Sequence, residues 1–197
     1  MGRPHRIIVP RAYYHVHTRG NDGQAIYHGN WSGRLFVREL VRATRRHGWR
    51  IVAYCLMPNH YHLVLQVGDA GLSGGLCEFN GRFARISNWH NKRSNHLFGA
   101  RFACHHIEDD AYLFAASRYV LLNPVRKTAT DPRHWRWSSM RATVGLDPAP
   151  ACLDVAWILG HFGSTPQSAR FAFTNFVDAG RTANAGPLDG AWHRPGS

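Results

Sequence analysis

The segment RIVAYCLMPNHYHLVLQV, from Arg50 to Val67, predicts two strands of a β-sheet that are joined by a tight turn. Its first part, residues 50–56, and its last part, residues 60–67, are rich in branched and aromatic residues, as strands are. Met57-Pro58-Asn59 between them is a turn signal. This hairpin fixes the register of the side chains on which the functional argument depends.

The second strand carries the motif His60-Tyr61-His62. Because side chains alternate along a strand, His60 and His62 project from one face, about 6–7 Å apart at the backbone, and Tyr61 projects from the other. Two imidazoles on one strand can share a metal ion. For an isolated His-x-His motif, two half-exposed structural histidines are the usual alternative.

The rest of the first 125 residues predicts a split βαβ arrangement. The predicted elements are a strand at Tyr13–Thr18, helices at Ser32–His47 and Leu76–Trp89, an extended segment at Leu97–Glu108, and a helix that Asp109-Asp110 caps and Pro124 closes after Asn123. Together with the hairpin, this order is that of the ferredoxin-like α+β fold, an antiparallel sheet with helices on one face.

The composition changes after Gly145, where Pro148, Ala149 and Pro150 mark a link. We therefore predict a first domain at residues 1–145 and a small C-terminal helical appendage at 146–180, with helical patches near 153–159 and 168–177. Residues 181–197, rich in Gly, Ala, Pro and Asn, are predicted to be a disordered tail.

The net charge indicates a polyphosphate partner. The chain of 197 residues has 24 Lys and Arg against 12 acidic residues, and almost all of the cations are Arg. A guanidinium group can hold phosphate through two hydrogen bonds, so nucleic acid is the favoured partner. The sequence has neither an apolar run of about 20 residues nor a secretory signal, which predicts a cytoplasmic protein that does not bind membranes. The four cysteines are scattered and are expected to be buried apolar residues rather than disulfide or zinc ligands.

The predicted helix before Pro124 carries Tyr119 and Asn123, four residues apart and hence on one helical face. A tyrosine beside a metal ion can attack a phosphodiester, and an amide oxygen suits Mg²⁺ or Mn²⁺ as a further ligand. The alternatives are a core tyrosine and an asparagine that merely ends the helix before Pro124.

Several motifs together resemble the REP-associated tyrosine transposases, which are relatives of the single-tyrosine HUH transposases of bacterial insertion sequences. The matching stretches are Tyr14-His15-Val16, Arg19-Gly20-Asn21, Ala53-Tyr54-Cys55-Leu56, Met57-Pro58-Asn59-His60-Tyr61-His62, Leu97-Phe98, Arg101-Phe102, Arg118-Tyr119-Val120-Leu121-Leu122-Asn123-Pro124-Val125-Arg126 and Trp137-Ser138-Ser139. The resemblance covers about Ile7 to Gly145, and the combination is far more specific than any single motif.

The resemblance implies an HUH endonuclease fold in which Tyr119 becomes joined to a 5′ phosphate and leaves a free 3′ hydroxyl. It implies that His60 and His62 hold the divalent metal, Mg²⁺ or Mn²⁺, with Asn123 as a further ligand. The implied substrate is single-stranded or hairpin DNA of the repetitive extragenic palindrome type. The candidate DNA-binding residues are Arg19, Asn21, Arg101, Arg118 and Arg126.

Other histidines are weaker candidates for the site. His15 and His17 form a second His-x-His pair on the first strand, which neighbours the His60 strand in a ferredoxin-like sheet. A structural or DNA-contacting role is expected for this pair, with an accessory role in the site as the alternative. His105 and His106 are adjacent, so they lie on opposite faces and cannot chelate one ion together. Ala103 departs from the family pattern, which commonly has lysine there, and this puts activity or substrate choice in question.

Two other functions remain open from the sequence. A DNA-binding regulator with the same fold would need the basic surface but not Tyr119. An RNA-binding protein would show aromatic residues on the sheet, but the aromatic strand motif of such modules is absent. The resemblance implies a monomer associated with the nucleoid, with a dimer as the alternative.

Overall fold

The computed structural model of the protein describes residues 8–181. Its elements in chain order are β1 Tyr13–Arg19, α1 Asn30–His47, β2 Arg50–Leu56, β3 His60–Gln66, α2 Ser73–His90, β4 Ala103–Ile107, α3 Asp110–Leu121, α4 Asn123–Thr128, α5 Met140–Thr143, α6 Val155–Leu159 and α7 Pro166–Asp178. The predicted tail, except Arg181, lies outside the described residues.

The four strands form one antiparallel sheet in the order β2-β3-β1-β4. This order is that of the ferredoxin-like fold, so the predicted α+β class is confirmed. The predicted hairpin is present, with β2 at the expected residues and β3 one residue shorter than expected. The predicted extended segment at 97–108 contains a strand only from Ala103, although Phe98 forms an isolated bridge with Gly20.

Helices α1 and α2 cover one face of the sheet. The rings of Phe36, Phe79 and Phe83 are fully or almost fully buried there, together with Tyr61 of β3. Arg82 of α2 donates to the buried carboxylate of Glu39 in α1 at 2.6 Å, which ties the two helices together.

Helices lie on both faces of the sheet, whereas the sequence predicted helices on one face only. Strands β2 and β3 have apolar residues on both faces of the sheet, so the second face also has to be buried. Val52, Cys55 and Val64 are buried there against Leu113, Ala116 and Val120 of α3. The prediction of a single helical layer considered only the elements up to β4, which include α1 and α2. Helix α3 follows β4 in the chain and packs on the second face.

The C-terminal helices pack into the same second core. Ile158 of α6 and Phe173 of α7 share a buried cluster with Val120 of α3. The Arg133 guanidinium beside Asp131 holds the pKa of that carboxyl well below its usual range, and Arg181 also donates to Asp131, at 2.7 Å. Residues 146–180 therefore contain two helices, α6 and α7, that pack against α3, while the division into a domain and an appendage stays a prediction.

None of the helices between residues 8 and 181 combines the length and the apolar character that crossing a membrane requires.

The close approach of α1 to Trp137 gives a stability prediction. A Cβ atom at Gly33 would lie 2.2 Å from the Trp137 ring, whereas a Cβ at Gly81 in α2 would meet nothing within 4 Å. We expect Gly33→Ala to lower the free energy of unfolding by about 1–3 kcal/mol through overpacking. Gly81→Ala, the matched control, should raise it by up to about 1 kcal/mol through helix propensity. Urea denaturation measures both, and equal effects in the two variants would contradict the packing argument.

Candidate active site

His60 and His62 project from the face of the sheet that α3 covers. Their ring centroids are 5.1 Å apart. Tyr61 points into the opposite core, where its hydroxyl donates to Asn80 Oδ1 at 2.6 Å. The strand alternation predicted from the sequence is therefore confirmed for these three residues.

Helix α3 places Tyr119 beside the two histidines, on the same face of the sheet. Asp109 caps the start of the helix by accepting from the Tyr112 backbone N–H, and the buried residues of the helix face the sheet. The Tyr119 ring centroid lies 5.6 Å from that of His62. Tyr119 is only half-buried, so its ring combines closeness to the histidines with access from solvent.

Asn123 lies beside His60 and is almost completely buried, with 1% of its surface exposed. Its Nδ2 group donates to the Tyr119 carbonyl at 3.1 Å, which directs Oδ1 to His60 Nε2 at 3.3 Å. Asn123 begins α4 rather than ending α3, since α3 ends at Leu121 and Pro124 occupies the first turn of α4. The predicted helix therefore ends before Pro124, two residues earlier than expected, and the helix α4 that follows it was not predicted, although proline is tolerated in a first turn.

The His60 ring contacts a second amide oxygen on its other side. Asn59 Oδ1 lies 2.8 Å from His60 Nδ1, and Asn59 Nδ2 donates to the Gly23 carbonyl, which fixes the orientation of that amide. Both amide oxygens accept hydrogen bonds only, whereas a neutral imidazole donates one. The shorter contact, from His60 Nδ1 to Asn59 Oδ1, is taken as the hydrogen bond that the ring donates. His60 Nε2 then carries a lone pair, and it faces the lone pairs of Asn123 Oδ1.

The histidines of the site are held in the neutral form. Burial lowers the pKa of His60 to about 4, an effect that the Asn123 contact opposes and that the positive charges of Lys127 and Arg19 increase. Burial also lowers the pKa of His62 well below its usual value, and the neighbouring His15 and His60 add to this. Neutral imidazoles are the form that binds metal ions.

His15 of β1 is part of the same cluster, whereas the sequence predicted a structural or DNA-contacting role for it. Its Nε2 atom lies 2.9 Å from Nδ1 of His62, and its side chain is fully buried. The contact arises because β1 pairs with β3 and places His15 and His17 on the face of His62. The signal in the sequence was the second His-x-His pair on a strand expected to neighbour β3.

Three exposed cations surround this cluster. The Arg126 guanidinium carbon lies 4.9 Å from the centroid of the Tyr119 ring. Arg19 ends β1 opposite His60, and Lys127 acts on the pKa of both His60 and His62. Arg19 and Arg126 were candidates from the sequence, whereas Lys127 was missed because α4 was not predicted.

The other predicted DNA-binding residues lie elsewhere. Arg118 packs against α7, with its guanidinium 4.8 Å from the centroid of the Phe176 ring. The Asn21 side chain contacts Asp22, and Arg101 lines a groove beside α2. His105 faces His17 at a ring distance of 6.5 Å, and His106 contacts Tyr14 on the other face, as the alternation predicts.

Within residues 8–181, no group of three or more His, Cys, Asp and Glu side chains is positioned to hold a metal ion. The donor atoms that converge are instead two imidazoles and the amide oxygen of Asn123.

The fold is shared with a solved transposase structure. The structure of a REP-associated tyrosine transposase bound to a REP hairpin aligns with a TM-score of 0.63 and 19% identity, over 79% of this chain and 93% of that chain. A candidate transposase from Deinococcus radiodurans aligns with a TM-score of 0.40 and 15% identity, over 56% and 88% of the two chains. Neither the protein-family models nor the curated proteins include a match to the sequence.

The buried neutral histidines make stability depend on pH. Burial lowers the pKa of His15, His60 and His62 in the folded state, so the unfolded chain takes up protons first as the pH falls below about 6.5. Without added metal, the free energy of unfolding should therefore fall by about 1–2 kcal/mol per buried histidine between pH 7 and 5.

Chemical denaturation at several pH values in the presence of a chelator measures this slope. His60→Asn should make the slope shallower, because it removes one of the three groups. A flat profile between pH 7 and 5 in the wild type would contradict the burial of neutral histidines.

Proposed function

We propose that this chain is a metal-dependent, single-tyrosine DNA strand-cleaving enzyme of the REP-associated tyrosine transposase type. One observation carries the proposal: α3 brings the Tyr119 ring to 5.6 Å from the ring of His62, although the two residues are far apart in the sequence. The fold shared with a REP-associated tyrosine transposase, in a structure that contains a REP hairpin, supports the same assignment.

The donor atoms fit a hard divalent cation. His60 Nε2 and Asn123 Oδ1 face each other at 3.3 Å, and His60 is neutral at physiological pH. Neighbouring ligands of an octahedral Mg²⁺ ion lie about 3 Å apart, since each bond is about 2.1 Å long. A cation between them would replace the contact between two lone pairs by two attractive contacts. His62, whose Nδ1 contacts His15, has its Nε2 left as the third protein ligand.

Mg²⁺ or Mn²⁺ bound there would polarise the scissile phosphate. The chain itself supplies the nucleophile. The Tyr119 phenolic oxygen forms a bond to phosphorus, the bond from phosphorus to the 3′ oxygen breaks, the phenol gives up its proton, and the departing oxygen takes up a proton. The product is a 5′ phosphotyrosine link and a free 3′ hydroxyl, which can attack in the reverse direction to rejoin the strands.

Arg19, Arg126 and Lys127 bind and orient the phosphate in this proposal. Arg126 lies over the Tyr119 ring, where its charge also favours the phenolate that develops during attack. Ala103, where related sequences commonly have lysine, pairs with His17 on the same face. Lys127 brings a positive charge near both His60 and His62 from α4, which offsets the missing lysine.

The substrate class that we propose is single-stranded, hairpin-forming DNA of the repetitive palindrome type. The net charge of +12 favours a polyphosphate, and the solved structure with the same fold is bound to a REP hairpin. The monomeric state and the cytoplasmic, nucleoid-associated location stay predictions.

The nucleophile can be tested by trapping. Incubation of labelled hairpin DNA with Mn²⁺ should give a protein–DNA adduct that survives denaturation, and Tyr119→Phe should abolish it, because phenylalanine has no nucleophilic oxygen. Tyr112→Phe in the same helix is the matched control and should keep the adduct. Binding without an adduct in the wild type would instead indicate a non-cutting regulator.

The metal ligands can be tested without DNA. We expect His60→Ala and Asn123→Ala to lower Mn²⁺ affinity by about tenfold or more, as the loss of a ligand does. Asn123→Asp should keep or raise the affinity, because a carboxylate oxygen replaces the amide oxygen. Titration calorimetry or water-proton relaxation measures the affinity, with His106→Ala on the opposite face as the control. Equal Mn²⁺ affinity in all of these variants would exclude this site.

A further inference from the structure

A cavity of about 560 Å³ lies beside β2, at the edge of the sheet and on the face opposite to His60 and Tyr119. Its walls are α1, Tyr54 of β2, and two segments within residues 136–142 and 147–150. The volume is that of a small-molecule site. None of the side chains proposed for strand cleavage lines this cavity, so it is separate from the candidate active site.

The cavity has an excess of positive charge. Four arginines line it, against a single acidic residue, Asp147. Arg141 donates to both oxygens of the Asp147 carboxylate, at 2.6 and 3.0 Å, and Arg38 pairs with a glutamate of its own helix at 3.2 Å. The other two, Arg34 and Arg136, are exposed, and neither forms an ion pair within residues 8–181. The cavity therefore presents two guanidinium groups that are available to an anionic ligand.

A buried hydroxyl also faces the cavity. Tyr54 is among the lining residues although only 4% of its surface is exposed. In the part of the chain that the structure describes, no group forms a hydrogen bond with the Tyr54 hydroxyl. Burial raises the pKa of Tyr54 well above its usual value, so the hydroxyl keeps its proton and can donate it. Because a buried hydroxyl without a partner costs free energy, a ligand with an acceptor atom is favoured here.

The rest of the lining is mainly apolar. It consists of small aliphatic side chains, prolines and the edge of an indole: Val37, Trp137, Ala142, Pro148, Ala149 and Pro150. An inorganic ion gains nothing from such walls, whereas an organic group gains about 25 cal/mol for each Å² of apolar surface that is buried. The lining therefore fits a ligand with an anionic end and an organic body.

We propose that this cavity binds a small phosphate monoester, whose phosphate is held by Arg34 and Arg136 and whose organic group accepts from the Tyr54 hydroxyl. A phosphate monoester carries about −1.5 to −2 charges at pH 7, which two guanidinium groups match. A free nucleotide has this chemistry. The backbone of DNA differs from it, because each of its phosphates is a diester with a single charge. The inference does not depend on the proposed function.

Titration calorimetry of the full chain tests the proposal, with adenosine 5′-monophosphate as the probe and with inorganic phosphate and adenosine as its two parts. We expect one nucleotide to bind per chain. Its affinity should exceed that of either part by about tenfold or more, because the charged end and the organic end each contribute.

Three variants locate the bound nucleotide. Arg34→Gln and Arg136→Gln should each lower the affinity by about tenfold, as the loss of a charge-assisted hydrogen bond does. Tyr54→Phe should lower it by about threefold or more through the loss of one hydrogen bond. Arg45→Gln is the matched control, because Arg45 is exposed on the same helix as Arg34 and does not line the cavity, and it should leave the affinity unchanged.

Competition distinguishes a free nucleotide from the DNA backbone as the occupant. Saturating hairpin DNA, added in chelator to prevent cutting, should leave nucleotide binding unchanged, because the cavity lies on the face opposite to Tyr119. Displacement of the nucleotide by the hairpin would overturn the proposal and assign the cavity to DNA. Absence of nucleotide binding at millimolar concentration, or equal affinity in the wild type, Arg34→Gln and Arg136→Gln, would also overturn it.

Discussion

The packing of α3 against the second face of the sheet is the interaction on which the site depends. β3 presents apolar residues to both faces, so one layer of helices cannot bury it. The face with Val64 also carries His60 and His62, and a helix that covers Val64 necessarily lies beside the histidines. Tyr119 is held on α3 by the apolar contacts of its neighbours, among them Val120, which is fully buried. The hydrophobic effect therefore sets the distance between Tyr119 and the histidines.

Burying imidazoles requires compensation, and the cluster obtains it through hydrogen bonds rather than charge. A buried polar group without a partner costs several kcal/mol in an apolar surrounding, roughly 2–7 by transfer data. His62 has His15 at 2.9 Å, and His60 has Asn59 at 2.8 Å. Burial is the main cause of the lowered pKa values of His60 and His62, and neighbouring basic side chains, Lys127 among them, lower both further. The pair consequently stays neutral and suited to a cation, while the surrounding arginine and lysine side chains attract an anion.

The sequence predicted the hairpin of β2 and β3 almost to the residue, because alternation and the Met57-Pro58-Asn59 turn are local signals. It also predicted that His60 and His62 share a face. It did not predict that Tyr119 approaches them, since spacing along a chain carries no information about which face a later helix covers. The second helical layer and the start of α4 at Asn123 were missed for the same reason, and with α4 the proximity of Lys127. The resemblance, rather than the spacing of the residues, predicted a role for Tyr119.

Asn59 and Asn123 use the two ends of their side-chain amides in the same way. Two uncharged side chains therefore hold the His60 ring in one orientation. Each donates its –NH₂ group to a backbone carbonyl, of Gly23 and of Tyr119, and each turns its oxygen to the imidazole. The His60 ring is thus fixed between the turn that precedes β3 and the end of the helix that carries Tyr119. Any shift of α3 along the sheet moves the Tyr119 carbonyl, then the Asn123 amide, and then the contact with His60 Nε2. Through this chain of contacts, the position of Tyr119 and the orientation of the His60 imidazole are coupled by a single buried side chain, that of Asn123.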